Sequence, residues 1–190
     1  MKRNTVVFGA SAIFVFALGI GAWSWFRAGP AEPVPAASVE TSYPDEWRMT
    51  LAEARNSAAF PLVVPSHPAA NEQNLTAVYV HPGGTTVAMQ FPAPKSSNVR
   101  QDYIEVFLLP WEGGNPAERF AQDIAQDPVI GKSLLSVEGV PAEGTLANSP
   151  SDIEQANPAY LRLVHKGLEI QISGGDSLDL LLKIAQTMVA

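Results

Sequence analysis

The sequence predicts an α+β domain, an antiparallel sheet built from hairpins with helices packed on one face, preceded by one transmembrane helix. Three observations carry this reading. An uncharged run, TVVFGASAIFVFALGIGAWSWF, fills Thr5 to Phe26. Two stretches of alternating apolar residues fold back at glycine-bearing turns, and three further segments repeat apolar residues at helical spacing.

The apolar run comes first. Its 22 residues span roughly 33 Å at about 1.5 Å per residue, enough to cross a hydrocarbon core of about 30 Å. Lys2 and Arg3 precede it and only Arg27 follows closely, so the positive excess marks the N-terminal side as cytoplasmic. Trp23 and Trp25 close the outer end and suit the membrane interface. Two readings remain open, a retained signal anchor and a cleaved secretory signal. The paired tryptophans, the length of the run and the lack of a following A-x-A sequence favour the anchor. Residues 1–4 then form a short cytoplasmic tail, 5–26 the anchor, 27–43 a Pro/Ala-rich linker and 44–190 one extracytoplasmic domain.

Charge narrows the partners. Without Lys2, Arg3 and Arg27, nine Lys and Arg face nineteen Asp and Glu, a net charge of −10. That argues against nucleic acid and anionic lipid surfaces as partners. The absence of cysteine excludes a lipid-modified N-terminus and a disulfide framework.

Within the domain, Pro44 opens a helical pattern, DEWRMTLAEARNSA, in which Trp47, Leu51, Ala54 and Ala58 recur on one side. FPLVVP, Phe60 to Pro65, suits an edge segment or an extended connection lying on the core. Leu75 to Phe91 reads as a hairpin turning at Gly83 and Gly84, which pairs Val80 with Val87 and Val78 with Met89. Its other face carries Ala77, Tyr79, His81, Thr86, Ala88 and Gln90, a mixed surface. Tyr103 to Leu109 alternates as a third strand. Asn115, Pro116 and Glu118 fit the cap, first-turn and third positions of a helix bearing Phe120 and Ile124. Leu134 to Val140 is a further strand ending in VEGVPAEG.

Ala159 to Gly174 forms a second hairpin closed by Lys166 and Gly167. Its register pairs His165 with Leu168, Leu163 with Ile170 and Leu161 with Ile172, leaving Arg162, Glu169 and Gln171 on the opposite face. A helix begun by Asp176 ends the chain, with Leu178, Leu181, Leu182, Ala185, Met188 and Val189 as its buried stripe and Asp179 to Lys183 as an i,i+4 pair.

Several of these segments, taken in order, resemble a bacterial extracytoplasmic family known only as a domain of unknown function. They are FPLVVPSHP, LTAVYVHPGG, VEGVPAEG, YLRLVHKGLEIQISG and LLLKIAQTM, spanning most of Leu51 to Ala190. The resemblance implies the outer C-terminal part of a single-span membrane protein, some members being similar to anti-sigma factors. It implies no catalytic residues. This sequence departs from the anti-sigma pattern in its four-residue inner tail, which has no room for sigma-binding helices.

Chemistry-bearing residues are sparse. His67, His81 and His165 stand far apart, in no metal-ligand spacing, so no metal or cofactor is expected. Ser173 with His165 and Asp176 is the one nameable hydrolytic trio, and the hairpin register puts Ser173 and His165 on opposite faces. Asp123 with Asp127, and Asp152 with Glu154, read as solvated charges. The loop Pro110 to Pro116 offers Trp111 beside two glycines, and Tyr79 on the mixed sheet face could join it as a binding surface. The expected function is a membrane-anchored, noncatalytic module that binds a protein or cell-envelope ligand for sensing or scaffolding. The alternatives are an envelope hydrolase with a site assembled only by the fold, and a carrier of an apolar ligand.

Overall fold

A computed structural model describes residues 43–94, 103–126, 132–146, 158–175 and 177–190. The expected tail, anchor and linker to residue 42 lie outside the described residues, as do Asp127, Asp152, Glu154 and Asp176. Among the described residues no helix is long and apolar enough to cross a membrane.

Eight strands form one antiparallel sheet: β1 (Arg48–Met49), β2 (Ala77–Val80), β3 (Val87–Pro92), β4 (Tyr103–Pro110), β5 (Lys132–Val137), β6 (Val140–Thr145), β7 (Tyr160–His165) and β8 (Leu168–Ser173). Their spatial order is β1-β2-β3-β4-β8-β7-β6-β5. Three helices complete the described fold, α1 (Leu51–Ser57), α2 (Pro116–Gln126) and α3 (Leu178–Val189). The α+β class with an antiparallel sheet is thus as the periodicities predict.

The two hairpin registers also agree with expectation: Val80 pairs Val87, Val78 pairs Met89, Leu163 pairs Ile170 and Leu161 pairs Ile172. Because strand side chains alternate, these pairs build one continuous apolar face running from β2 to β6. Phe91, Ile104, Leu108, Leu161 and Ile172 are fully buried on it. Against that face lie α3, through Leu181, Ile184 and Ala185, and α1, through Ala54. The FPLVVP segment crosses the same side as an extended connection, its Phe60, Leu62, Val63 and Val64 packed on the core. Ser66 N donates to Thr187 Oγ1 at 3.1 Å and ties that connection to α3.

Several local expectations are corrected. The pattern from Asp45 to Ala58 is not one helix: Asp45–Trp47 makes a single 3-10 turn, Arg48 and Met49 pair with β2, and only then does α1 begin. The cause is Thr50, whose Oγ1 accepts from Glu53 N at 3.3 Å while Thr50 N donates to Glu53 Oε2 at 2.8 Å, a capping box that starts the helix there. The first hairpin keeps its register but closes through a longer loop, with His81 N donating to Thr86 O at 3.0 Å and Gly84 N to His81 O at 2.8 Å. Leu134 to Val140 and the following segment form two strands. Glu138 and Gly139 take φ of 50° and 82°, both left-handed, which makes the two-residue hairpin turn between β5 and β6. α3 is capped by Ser177, whose Oγ accepts from Leu180 N, and Ile184 is buried in its stripe where Leu182 is only partly so.

The largest correction concerns the helices, which do not share one face. α3 meets the face of Ala142 and Gly144, where a Cβ on Gly144 would crowd Leu178 at 3.1 Å. α2 meets the opposite face, where Arg162 of β7 hydrogen-bonds Asp123 of α2. A helix stripe tells which side of the helix is apolar, not which side of the sheet receives it.

Candidate functional site

The register of all eight strands fixes what the second face presents. One row of side chains crosses the whole sheet as Arg48, Tyr79, Ala88, Phe107, Gln171, Arg162, Glu143 and Leu134. The next row is Ala77, Gln90, Glu105, Ser173, Tyr160, Thr145 and Lys132. Polar and aromatic groups therefore concentrate in the middle of this face, which two separate covers leave partly open.

One cover is α2 and the loop before it. Asn115 caps α2 as its position predicts: Oδ1 accepts from Ala117 N at 3.1 Å and Nδ2 donates to Glu118 Oε1 at 3.1 Å. Phe120 is thereby driven into the interior, fully buried. Trp111 folds back on the domain, half-buried and edge-on to Phe120 at 6.0 Å between ring centroids. Its Nε1 donates to Gly114 O at 2.8 Å, and its backbone N donates to Gly167 O at 2.9 Å, beside the β7–β8 turn. The Arg162 guanidinium stands 5.6 Å from the Trp111 ring and 5.1 Å from that of Phe120.

Around Arg162 three carboxylates converge. Nε reaches Glu169 Oε1 at 2.6 Å, and Nη1 reaches Asp123 Oδ2 at 3.0 Å and Glu143 Oε1 at 3.3 Å. Burial alone would make this guanidinium easier to deprotonate, but the bonds to Glu169, Asp123 and Glu143 outweigh it and hold the charge more firmly than usual. Lys132 Nζ lies 3.8 Å from Glu143 Oε2, an oxygen otherwise buried without a hydrogen bond among the described residues. The sequence alone places Arg162, Glu169 and Gln171 on one face, whereas Glu143 falls past Val140 in the expected strand end VEGVPAEG, where no local signal joins it to them.

The other cover is the segment Tyr43–Trp47. Tyr43, the last residue of the expected linker, stacks on Tyr79 with centroids 5.1 Å apart. Tyr79 is consequently only 2% exposed, so it supports Tyr43 and is not itself a surface group. Trp47 meets His81 edge-on at 4.8 Å. Tyr43 Oη donates to Glu105 Oε1 at 2.9 Å and Gln90 Nε2 donates to Glu105 Oε2 at 3.2 Å. Burial first, and the neighbouring Glu105 second, raise the pKa of Tyr43 and of Tyr103. Burial likewise raises that of Tyr160, with Arg162 acting in the opposite sense. These phenols stay protonated at neutral pH.

Between the covers a row of cavities follows the β4–β8 pair, together called the groove below. A cavity of about 540 Å³ occupies one end, lined by Leu109, Trp111, Arg119, Arg162 and Glu169 among others. A second of about 230 Å³ follows along the same strand pair, lined by Tyr43, Glu105, Phe107, Tyr160, Gln171 and Ser173. A third, apolar and about 150 Å³, sits beneath Tyr43 and Trp47. Trp111 and Tyr79 line different cavities, so the structure does not join them in one surface.

The histidines are scattered. His67 Nδ1 accepts from Ala69 N at 3.1 Å in its own loop, His81 lies under Trp47, and His165 ends β7. Among the described residues no three His, Cys, Asp or Glu are grouped to hold a metal ion. Ser173 shares a row with Tyr160 and Glu105, on the face opposite His165, as the register predicts. Asp123 is paired with Arg119 and Arg162, so it is part of the charge cluster and not a solvated helix charge. Trp23 and Trp25 lie outside the described residues. No protein-family model matches the chain, and neither the curated proteins nor the solved structures provide a match.

Proposed function

We propose that this chain is a membrane-tethered, extracytoplasmic binding module whose ligand, a segment of an envelope protein or another envelope ligand, lies in the groove along β4 and β8. The observation that carries the reading is the groove itself. Its larger cavity is lined by the Trp111 ring, by Arg119 and Glu112 and by the Arg162–Glu169 ion pair, which is recognition chemistry for a mixed polar and apolar ligand. The tether rests on the apolar run Thr5 to Phe26 and on Lys2 and Arg3 before it. A tethered domain gains effective concentration for any ligand near the bilayer without chemistry of its own. The apolar pocket, at about 150 Å³, is small for a carrier of lipid-like ligands.

A photoreactive side chain at Glu112, on the groove rim, should form a discrete adduct in intact cells. The same group at Gln186, on the exposed side of α3, should not. Identical adduct patterns at the two positions, or none at Glu112, would overturn the groove as the ligand site. Resistance of the domain to protease added to intact cells, lost on lysis, would overturn its placement outside.

A further inference from the structure

We infer that the cleft at the Tyr43 end of the groove is a site for an alkylated ammonium group, a quaternary or trimethylated nitrogen on a small molecule, received by Tyr43, Phe107 and Tyr160 around the Glu105 carboxylate. The site goes beyond the binding reading above and does not depend on what occupies the Trp111 end.

The first argument is charge. Two other carboxylates on this sheet face, Glu143 and Glu169, are both ion-paired with Arg162. Glu105 sits half-buried in the middle of the sheet, and among the described residues no Lys, Arg or His forms a salt bridge with it. A half-buried carboxylate with no such partner offers a counter-charge to a cationic ligand.

The second argument is the shape and chemistry of the wall. Tyr43, Phe107 and Tyr160 line a cleft of about 230 Å³ together with Glu105, Gln171 and Ser173, several times the ~30 Å³ that one water occupies in the liquid. Ring faces carry the negative end of the aromatic quadrupole and attract a cation placed over them. Tyr43 and Phe107 also line the neighbouring apolar pocket, which extends the greasy surface an alkylated nitrogen requires.

The third argument selects the kind of cation. Both Glu105 oxygens already accept a hydrogen bond, from Tyr43 Oη and from Gln90 Nε2. A primary ammonium brings three donors, for which the cleft offers a partly committed carboxylate and the weaker neutral acceptors of Gln171 and Ser173. A trimethylated nitrogen needs none. It uses only the charge of Glu105 and the ring faces.

Choline chloride titrated into the full chain in a maltoside detergent, at ionic strength matched with sodium chloride, tests this by calorimetry. Its neutral carbon isostere, 3,3-dimethylbutan-1-ol, and n-propylammonium chloride are the comparisons. Choline should bind saturably and about tenfold or more tighter than either one. Glu105→Gln should weaken choline by about tenfold while leaving the neutral alcohol unchanged. Phe107→Leu, which keeps apolar surface and removes the ring, should weaken choline selectively. Absence of saturable choline binding, equal affinity for the neutral isostere, tighter binding of n-propylammonium, or unchanged affinity in a folded Glu105→Gln each overturns the site. Should Glu105→Gln fail to fold, the wild-type ligand series and Phe107→Leu decide. Failure here leaves the Glu112 crosslink untouched, so the two readings fall separately.

Discussion

Arg162 and Glu169 meet side by side on the α2-facing side of the β7–β8 hairpin, with Nε to Oε1 at 2.6 Å and Nη2 to Oε2 at 3.4 Å, a two-pronged pair that leaves Glu169 only 6% exposed. Removing Arg162 would strand Glu169 and the 2%-exposed Glu143 without their shared cation. Stranding buried charge of this kind costs about 3–5 kcal/mol. Arg119, paired with Asp123 but with its side chain 54% exposed, is the control, for which an exposed pair contributes about 0–1 kcal/mol. Urea unfolding should therefore separate Arg162→Ala from Arg119→Ala by several kcal/mol. Equal losses would mean that water screens the cluster and that it does not organise this face.

Trp111 and Phe120 touch, yet their losses should differ. Phe120 is fully buried, so Phe120→Ala should cost about 3–5 kcal/mol. Trp111 is half-buried and held by one hydrogen bond to Gly114 O, by the edge of Phe120 and by Arg162, so Trp111→Ala should cost about 1–2 kcal/mol. A loss at Trp111 as large as that at Phe120 would make the ring core and remove it from the groove wall. No loss at all would mean that the ring is not docked as described.

The two glycines of the β2–β3 loop should respond unequally to alanine. Both take a left-handed φ, 96° at Gly83 and 71° at Gly84. A Cβ at Gly83 meets nothing within 4 Å, whereas one at Gly84 collides with the backbone carbonyl of Ser57, just where Gly84 O accepts from Ala59 N at 2.9 Å. Gly83→Ala should thus carry only the conformational cost of about 1 kcal/mol. Gly84→Ala should cost clearly more and loosen the C-terminal end of α1, seen as faster amide exchange at Ala58 and Ala59. Equal melting temperatures for the two variants would refute that close approach.

What was readable in the sequence followed the reach of its local signals. Val78, Val80, Val87 and Met89 alternate so regularly, and Lys166 with Gly167 makes so clear a turn, that both hairpin registers were open to inspection. Other features depended on contacts between distant residues. Pro141 is a residue that local signals place outside sheets, yet β6 tolerates it: opposite Ser136 it falls in a non-hydrogen-bonded position toward β5, and the β7 ladder begins only at Ala142. Tyr43 follows a proline-rich stretch and carries no periodic signal, so nothing local marks it as the cover of Tyr79. The pairing of β4 with β8 joins distant segments, Glu105 with Ser173 at one end and Pro110 with Leu168 at the other, and it is this pairing that makes the groove. The candidate site was therefore less legible than the fold, because half of its groups meet only across that seam.

His165 gives the domain a pH dependence of definite sign. The residue is half-buried, and among the described residues its Nε2 is buried without a hydrogen-bond partner. Burial first, and the adjacent Lys166 second, hold its pKa below the ordinary value. In the unfolded chain the imidazole takes up its proton near pH 6.5. Between that pH and the lower folded pKa the unfolded state binds the proton and the folded state does not, so stability falls as pH drops through this window and is level above it. Carboxylates titrate at lower pH and add their own slope, which cancels when wild type is compared with His165→Gln. The stability advantage of wild type over that variant should hence shrink from pH 7.5 to pH 5.5, measured by urea unfolding at each pH. A difference that stays constant or grows on acidification would show that the folded chain accepts the proton at His165 as readily as the unfolded one.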